Sequence, residues 1–239
     1  MRAARTSKEM SSPDSWSELP WGEYHRAALE EHLQPWWPKL FGFHLLKIGT
    51  LSAEIDTENC AISHQVNVGL EGEKLQVLAD PYQLPFSGKS VDACLLSHTL
   101  AYADNPHRML REVDRVLIDD GWLILSSFNP VSLLGLGKLV PGLRKRQPYC
   151  SRMFTQMRLM DWLSLLNFEV MHQARFQVLP WCKLGGKVIS THLPALGCMS
   201  LIVARKRTLP LTPTALKVSA RNPSLSRAVG ATKSYRNRP

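Results

Sequence analysis

Apolar and polar positions through the middle of the chain come in blocks that predict strand, strand, helix, strand. Leu75 to Asn129 holds an apolar run, a turn around Pro81 to Phe86, a second apolar run from Val91 to Leu96, an amphipathic segment, and a third apolar run from Trp122 to Ser127. Pro106 stands where helix starts favour proline, and Met109, Leu110, Val113, Val116 and Leu117 recur at helical spacing on one face. Arg108, Arg111, Glu112, Asp114 and Arg115 take the other face, and Asp119-Asp120-Gly121 is expected to close the helix. The strand candidates are almost continuously apolar, as strands covered on both faces of a parallel sheet must be.

Upstream, Gly22 to Leu33 reads as a helix with Tyr24, Ala27, Ala28, Leu29 and Leu33 available for its apolar face, ended by Pro35 and Pro38. Trp36, Trp37, Phe41 and Phe43 follow, a cluster that either seals an edge of the core or roofs a pocket. His44 to Ile48 is the first strand candidate, with Gly49 at its carboxyl end, and the next strand lies near His64 to Val68. No long amphipathic helix is visible between them.

Downstream, Asn129-Pro130 opens a segment from Val131 to Ser151 that is apolar and then basic, read as a lid or substrate insert. Its Gly135-Leu136-Gly137-Lys138 is no phosphate loop, because the first glycine and the closing hydroxyl of that motif are absent. Phe154 to Leu166 reads as a helix, Asn167 to Phe176 as a strand, Leu179 to Pro194 as an irregular loop, and Cys198 to Ala204 as a last strand antiparallel to its predecessor. Residues 1–15 are polar and read as disordered, as does the basic tail 209–239, which leaves one domain over 16–208.

Five fragments stand in order: Asp80 with Leu84-Pro85-Phe86, Val91-Asp92, Ser97-His98-Thr99-Leu100, Asn105 to Leu117, and Asp119 to Leu125. Together they resemble the central motif block of the class I S-adenosylmethionine-dependent methyltransferases, type 11 group. His44 to Gly49, Phe128 to Leu136 and Leu201 to Arg207 resemble, more narrowly, an uncharacterised methyltransferase-like branch from proteobacteria, and the resemblance covers roughly residues 21 to 213. It implies an α/β, Rossmann-like fold: a mostly parallel seven-stranded sheet with helices on both faces and an antiparallel last strand. It also implies S-adenosyl-L-methionine as cofactor.

By the same resemblance, Gly49 would let backbone approach the amino-acid end of the cofactor, and Asp80 would accept from the adenine amine with Pro81 beside the ring. Ser97 and His98 would meet the methionyl part or face the acceptor. His98, Tyr102 and Asp104 follow the fourth strand, where a base would sit. Read from the residues alone, Asp80 before Pro81 is also a ready Asx turn, and His98 is also a satisfied structural histidine. Two departures stand out. One glycine remains of the family's two or three, and Asn67 and Gly69 stand where a ribose-binding acid is expected, with Glu71 two residues late. A charge-assisted hydrogen bond contributes roughly 1.5 to 3 kcal/mol and a helix-terminus charge effect about 0.3 to 1. Losing both weakens the cofactor by about 20-fold to nearly 1000-fold unless other groups compensate.

A chain of 239 residues with 44% apolar content and no polar linker in its middle favours one α/β core. The basic N-terminus lacks the apolar run of a secretory signal, and the most apolar window, Trp122 to Val140, is interrupted by Asn129, Pro130 and Lys138, so no membrane span is expected. Five cysteines without a CxxC pair read as free thiols in a reducing cytoplasm rather than as disulfides or a metal site. Nine of the 29 basic residues lie from Arg205 onward, while no acid follows Glu169, so the net charge of +9 belongs to the tail.

Two functions follow. The first is methyl transfer to a small-molecule or RNA acceptor. Because a sulfonium methyl is already activated, alignment and exclusion of water carry most of the task, and the sequence need show no catalytic dyad. The second is a methyltransferase-like scaffold without catalysis, tethered to nucleic acid or a partner by the tail 205–239. The tail reads equally as a solvated solubility segment. A nicotinamide dehydrogenase is disfavoured because GxGxxG is absent.

Overall fold

The computed structural model of the chain describes residues 12–143, 146–182 and 193–208. Seven strands, β1 His44–Ile48, β2 His64–Gly69, β3 Val77–Leu78, β4 Val91–Ser97, β5 Leu117–Phe128, β6 Phe168–Phe176 and β7 Met199–Lys206, form one sheet in the order β3-β2-β1-β4-β5-β7-β6. Strands β1 to β5 pair in parallel, and β7 lies antiparallel between β5 and β6. This is the mostly parallel sheet with an antiparallel last strand that the resemblance implies.

Alternate residues of the central strands point to opposite faces, and both are covered. Leu46, Ile48, Cys94, Leu96, Leu123 and Leu125 pack with α4 (Pro106–Val116) and α6 (Gln156–Leu165). Leu45, Ala93, Leu95, Ile124 and Phe128 pack with α1 (Gly22–Leu33), Trp16 and Trp37. Three one-turn helices, α2 (Thr50–Ala53), α3 (Thr99–Tyr102) and α5 (Leu133–Gly137), follow the carboxyl ends of β1, β4 and β5. Helix α4 starts as expected: the Asn105 side chain accepts from Arg108 N at 3.1 Å, Pro106 follows, and Met109, Leu110, Val113 and Val116 are buried. No helix among the described residues is long and apolar enough to cross a membrane.

Several expectations change. Asp119-Gly121 does not close the helix. Leu117 already pairs with Val91 and Trp122 pairs with Ala93, so the acidic pair sits in an irregularity within β5, with Asp120 at φ 65°. The buried stripe of α1 is Gly22, His25, Leu29 and Leu33, and Tyr24 and Ala27 are exposed. Trp37 is buried and Trp36 packs on Trp122, whereas Phe41 and Phe43 are 75% and 79% exposed and seal nothing.

The expected disorder of residues 1–15 stops short as well, since Pro13 is buried and its carbonyl accepts from Thr50 Oγ1 at 2.7 Å. At the far end, the first three cations of the basic tail belong to the core. Arg205 donates to Asp120 O, Lys206 pairs with Asp114 at 3.0 Å, and Arg207 pairs with Glu169 at 2.6 Å. Tail residues 209–239, and residues 183–192 of the expected irregular loop, lie outside the described residues.

The amino end of β1 is fixed by a side chain of β4. Asp92 Oδ2 accepts from both Phe43 N (2.9 Å) and His44 N (2.8 Å), and Gly42, at φ 144°, lets the chain pass against that carboxylate. A Cβ on Gly42 would lie 2.2 Å from Asp92 Cγ. Gly42→Ala is therefore expected to destabilise the fold by about 2 to 4 kcal/mol in urea unfolding, through a strained φ and two disturbed backbone contacts. An unchanged midpoint would contradict the anchoring role of Asp92.

Candidate functional site

Parallel order reverses between β1 and β4, and ligands of open α/β sheets bind at the carboxyl side of such a switch point. Pairing between these strands ends at Lys47 and Leu95. Beyond it, a hydroxyl from α2 bridges the gap. Ser52 Oγ donates to Ile48 O (2.6 Å) and accepts from Ser97 N (2.7 Å), and Thr99 Oγ1 donates to the same Ile48 carbonyl at 2.7 Å. Gly49 turns the chain at φ 91°, and a Cβ there would lie 2.9 Å from Thr99 Oγ1, so the glycine is demanded by Thr99 of the chain itself.

One carboxylate fastens three segments over this junction. Glu54, just past α2, accepts from Ser15 Oγ (3.1 Å), Trp16 N (2.9 Å) and Lys74 Nζ (2.7 Å). Burial pushes its pKa up, but the hydrogen bonds from Lys74, Trp16 and Ser15 outweigh burial and hold the carboxyl below its ordinary value. Trp16 is fully buried, donates Nε1–H to Leu51 O at 2.9 Å, and stands edge-on to the His98 ring at 5.2 Å.

The rim after β2 is closed too. Asn67 Nδ2 donates to Lys74 O, the Leu75 side chain lies against Gly69, and Thr50 lies against Gly72. Glu71 is exposed, and Asn67 and Gly69 stand at the end of β2 where an acid is expected. Asp80 is exposed beyond β3, with Oδ1 accepting from Tyr82 N at 2.8 Å in an Asx turn, and Pro81 beside it is buried.

The expected catalytic residues do not gather. His98 is fully buried at φ 59°, with Nδ1 3.0 Å from Ser126 Oγ and its ring against Phe128 at 4.1 Å. Ser97 beside it is buried, and its Oγ has no partner among the described residues. Tyr102 is no base in this arrangement: it donates to Gln147 Oε1 at 2.9 Å, and burial raises its phenol well above the ordinary value, so it ties the insert after β5 to α3. Asp104 lies near Tyr82 and Arg152 at the rim. That rim is cationic and aromatic, with Arg108 over Tyr82, Arg152 over Phe154 and Arg158 over Trp162 at 5.6, 5.0 and 5.2 Å.

Sequence reasoning passed over His25, Gln177, Glu54 and Trp16. His25 Nδ1 lies 2.7 Å from Gln177 Oε1, both residues are buried, and His25 is close enough to His98 to lower its pKa. Spacing held one clue: His25 precedes Leu29 and Leu33 by one and two helical turns, a polar residue on the buried stripe. Trp16 and Glu54 stand in segments without periodicity, and nothing local marks Gln177.

Comparison with known proteins agrees with the geometry. A methyltransferase domain family matches residues 49–125. A S-adenosylmethionine-dependent methyltransferase from Thermotoga maritima superposes with a TM-score of 0.57 at 21% identity, over 78% of this chain and 93% of its own. The SpnF cyclase superposes with a TM-score of 0.53 at 17% identity, over 76% of this chain and 81% of its own, so the fold alone does not fix the chemistry. The matched segment and the fold are those of the class I S-adenosylmethionine-dependent methyltransferases, which implies S-adenosyl-L-methionine as cofactor. The chain belongs to one family with YafS of Escherichia coli strain K12, described as uncharacterised, to which it is 61% identical over 236 residues, 99% of this chain and 98% of that one.

The residues fit the cofactor at two of its three parts. Exposed Asp80 with Pro81 suits the adenine, and Gly49 with the unpartnered Ser97 hydroxyl suits the methionyl end. At the ribose the fit fails in this conformation, because Leu75 lies against Gly69 and the acid there, Glu54, is paired with Lys74.

Burial holds His98 and His25 neutral, pushing His98 down to about 3, with His25 lowering it further, and His25 to about 4 against the hydrogen bond to Gln177. Both folded values lie below that of a free imidazole, so the unfolded chain takes up these protons first. Their stability contribution is full above about pH 6.5 and is lost as pH falls toward the folded values. The urea midpoint is expected to drop between about pH 6.5 and pH 4.5, and to drop less in His98→Gln. The upper half of that window, above about pH 5.5, lies clear of the range where Glu54 and Glu112, whose carboxyls are lowered, begin to lose theirs. An unchanged slope in the variant would contradict the buried neutral imidazole.

Proposed function

We propose that the chain transfers a methyl group from S-adenosyl-L-methionine to a small-molecule or RNA acceptor seated at the carboxyl end of β4. The observation that carries this reading is the parting of β1 and β4, where Gly49, Ser97 and His98 converge. Bound there, the cofactor supplies an activated methyl, and the residues of the chain have to position and exclude water. Asp80 and Pro81 hold the adenine, Gly49 and Ser97 hold the methionyl end, and His98 with Trp16 walls off the acceptor side. Tyr102 positions the insert rather than moving a proton. Asp104 belongs to the cationic rim, whose arginines suit an acceptor that carries negative charge. The free Cys60, Cys94, Cys150, Cys182 and Cys198 support a cytoplasmic setting. The tail beyond Arg207 is proposed to contact nucleic acid.

A specific observation favours a second reading. The chain's own Thr99, Leu75 and Lys74 occupy the cradle, as in a scaffold that has given up its cofactor. Titration decides between the two. S-adenosyl-L-methionine is expected to bind with a Kd between about 10 μM and 1 mM, more weakly in Asp80→Ala, while nicotinamide cofactors stay inert. No saturation at millimolar ligand would establish the scaffold instead.

A further inference from the structure

Cations and aromatic rings alternate along the rim beside α3. Tyr82 comes from the loop between β3 and β4, His107, Arg108 and Arg111 from α4, Arg152 and Phe154 from the segment leading into α6, and Arg158 and Trp162 from α6 itself. Phe154 carries Arg152 at 5.0 Å and Arg158 at 5.9 Å, Trp162 carries Arg158 at 5.2 Å and the His107 ring at 4.3 Å, and Tyr82 carries Arg108 at 5.6 Å. Phe154 and Trp162 are 3% and 4% exposed, so the patch offers solvent guanidinium rather than ring.

The charges converge on one imidazole. Burial lowers the pKa of His107 below its ordinary value, and Arg111, Arg158 and Arg152, from three segments, lower it further. Acids balance the cluster only in part. Asp104 acts on Arg152, Asp161 stands exposed on α6, and Glu112, the carboxylate that Arg108 acts on, is already held by Arg115 at 2.7 and 3.0 Å. Arg108 and Arg111 are exposed and form no ion pair among the described residues. Neither α4 nor α6 has an acid in its first turn, where His107, Arg108 and Arg158 stand instead. The start of a helix favours negative charge, so cations gathered there repel the helix and one another unless an anion lies among them.

We infer that Arg108, Arg111, Arg152 and Arg158 form a binding surface for a ligand with two or more phosphates in a row, the chemistry shared by a single RNA strand and a nucleoside polyphosphate. A guanidinium is a planar fork that matches phosphate oxygens, and a ring beneath it holds that fork in place before the ligand arrives. One phosphate has no use for four forks on separate segments; a run of phosphates does. Rings too buried to take a base make the contact one to phosphate, without choice of base. The surface is tied to the mouth after β4, since Arg152 donates its backbone N–H to Ala101 O at 2.9 Å and Nη1 to Ala103 O at 3.4 Å. Only in calling the ligand an acceptor does this rest on the methyl-transfer reading.

The test leaves out every S-adenosyl compound at first. The full chain is titrated with a labelled oligouridylate of about ten nucleotides between about 50 and 200 mM salt, while the His107 imidazole, assigned through His107→Gln, is followed by NMR. The strand is expected to bind, to move the His107 titration to higher pH by neutralising its neighbours, and to lose affinity as salt rises. Arg108→Gln with Arg111→Gln is expected to weaken binding at least about tenfold and to flatten log K against log salt by about 1.4, two contacts at about 0.7 each. Arg108→Gln alone, with half that flattening, serves if the pair fails to fold. Tripolyphosphate that displaces the strand at equal phosphate concentration assigns the surface to a small polyphosphate, and displacement only at large excess assigns it to the strand. An unchanged Kd and slope in the variant overturns the inference, as does a His107 titration that the bound strand leaves in place. A chain that then binds the strand but not S-adenosyl-L-methionine keeps the phosphate surface and loses methyl transfer.

Discussion

The geometry of this protein depends on how Asp92 holds two parallel strands together at one end so that they separate at the other. Its carboxylate takes the backbone N–H groups of Phe43 and His44, which sets β1 beside β4 and lets Leu45 to Lys47 pair with Ala93 to Leu95. From that register, Gly49 and Ser97 leave the sheet side by side. The backbone groups freed where the strands part cannot stay bare in a buried place. Ser52 supplies the hydroxyl that meets Ile48 O and Ser97 N.

What lies over the junction is held by charge as much as by apolar contact. Glu54 gathers the N-terminal segment through Ser15 and Trp16 and the loop after β2 through Lys74. Trp16 then closes over His98, which keeps that imidazole dry and neutral. Apolar packing alone would hold the segment less specifically. The exposed Lys74 partner makes one arm of this clasp easier to open than the buried Trp16 arm, since an ion pair with a solvated lysine contributes little. The cover of this junction is therefore part of the chain itself.

Much of the fold was legible because period and length carry it. Val91 to Leu96 and Trp122 to Ser127 are unbroken apolar runs, which buried parallel strands require, and α4 announces itself with Asn105, Pro106 and its apolar stripe. The acidic turn at Asp119 misled, because a strand irregularity and a helix end use the same residues. The site was less legible. Gly49 and Asp80, the proposed cofactor contacts, stand in motifs, but His25, Gln177 and Glu54 act through distant partners: His25 meets Gln177 across 152 positions and Glu54 meets Trp16 across 38. No local pattern encodes such meetings. Tyr102 was misread for the same reason, since its partner Gln147 comes from the insert.

The most direct test of this account is a structure of the full chain with S-adenosylhomocysteine. The account predicts adenine beside Asp80, sulfur over Gly49 and Ser97 toward His98, and Lys74 parted from Glu54. A ligand bound instead in the amino-end groove of about 390 Å³ lined by Lys39, Asp92, Trp122 and Arg205 would contradict it, as would a crevice still closed at saturating ligand.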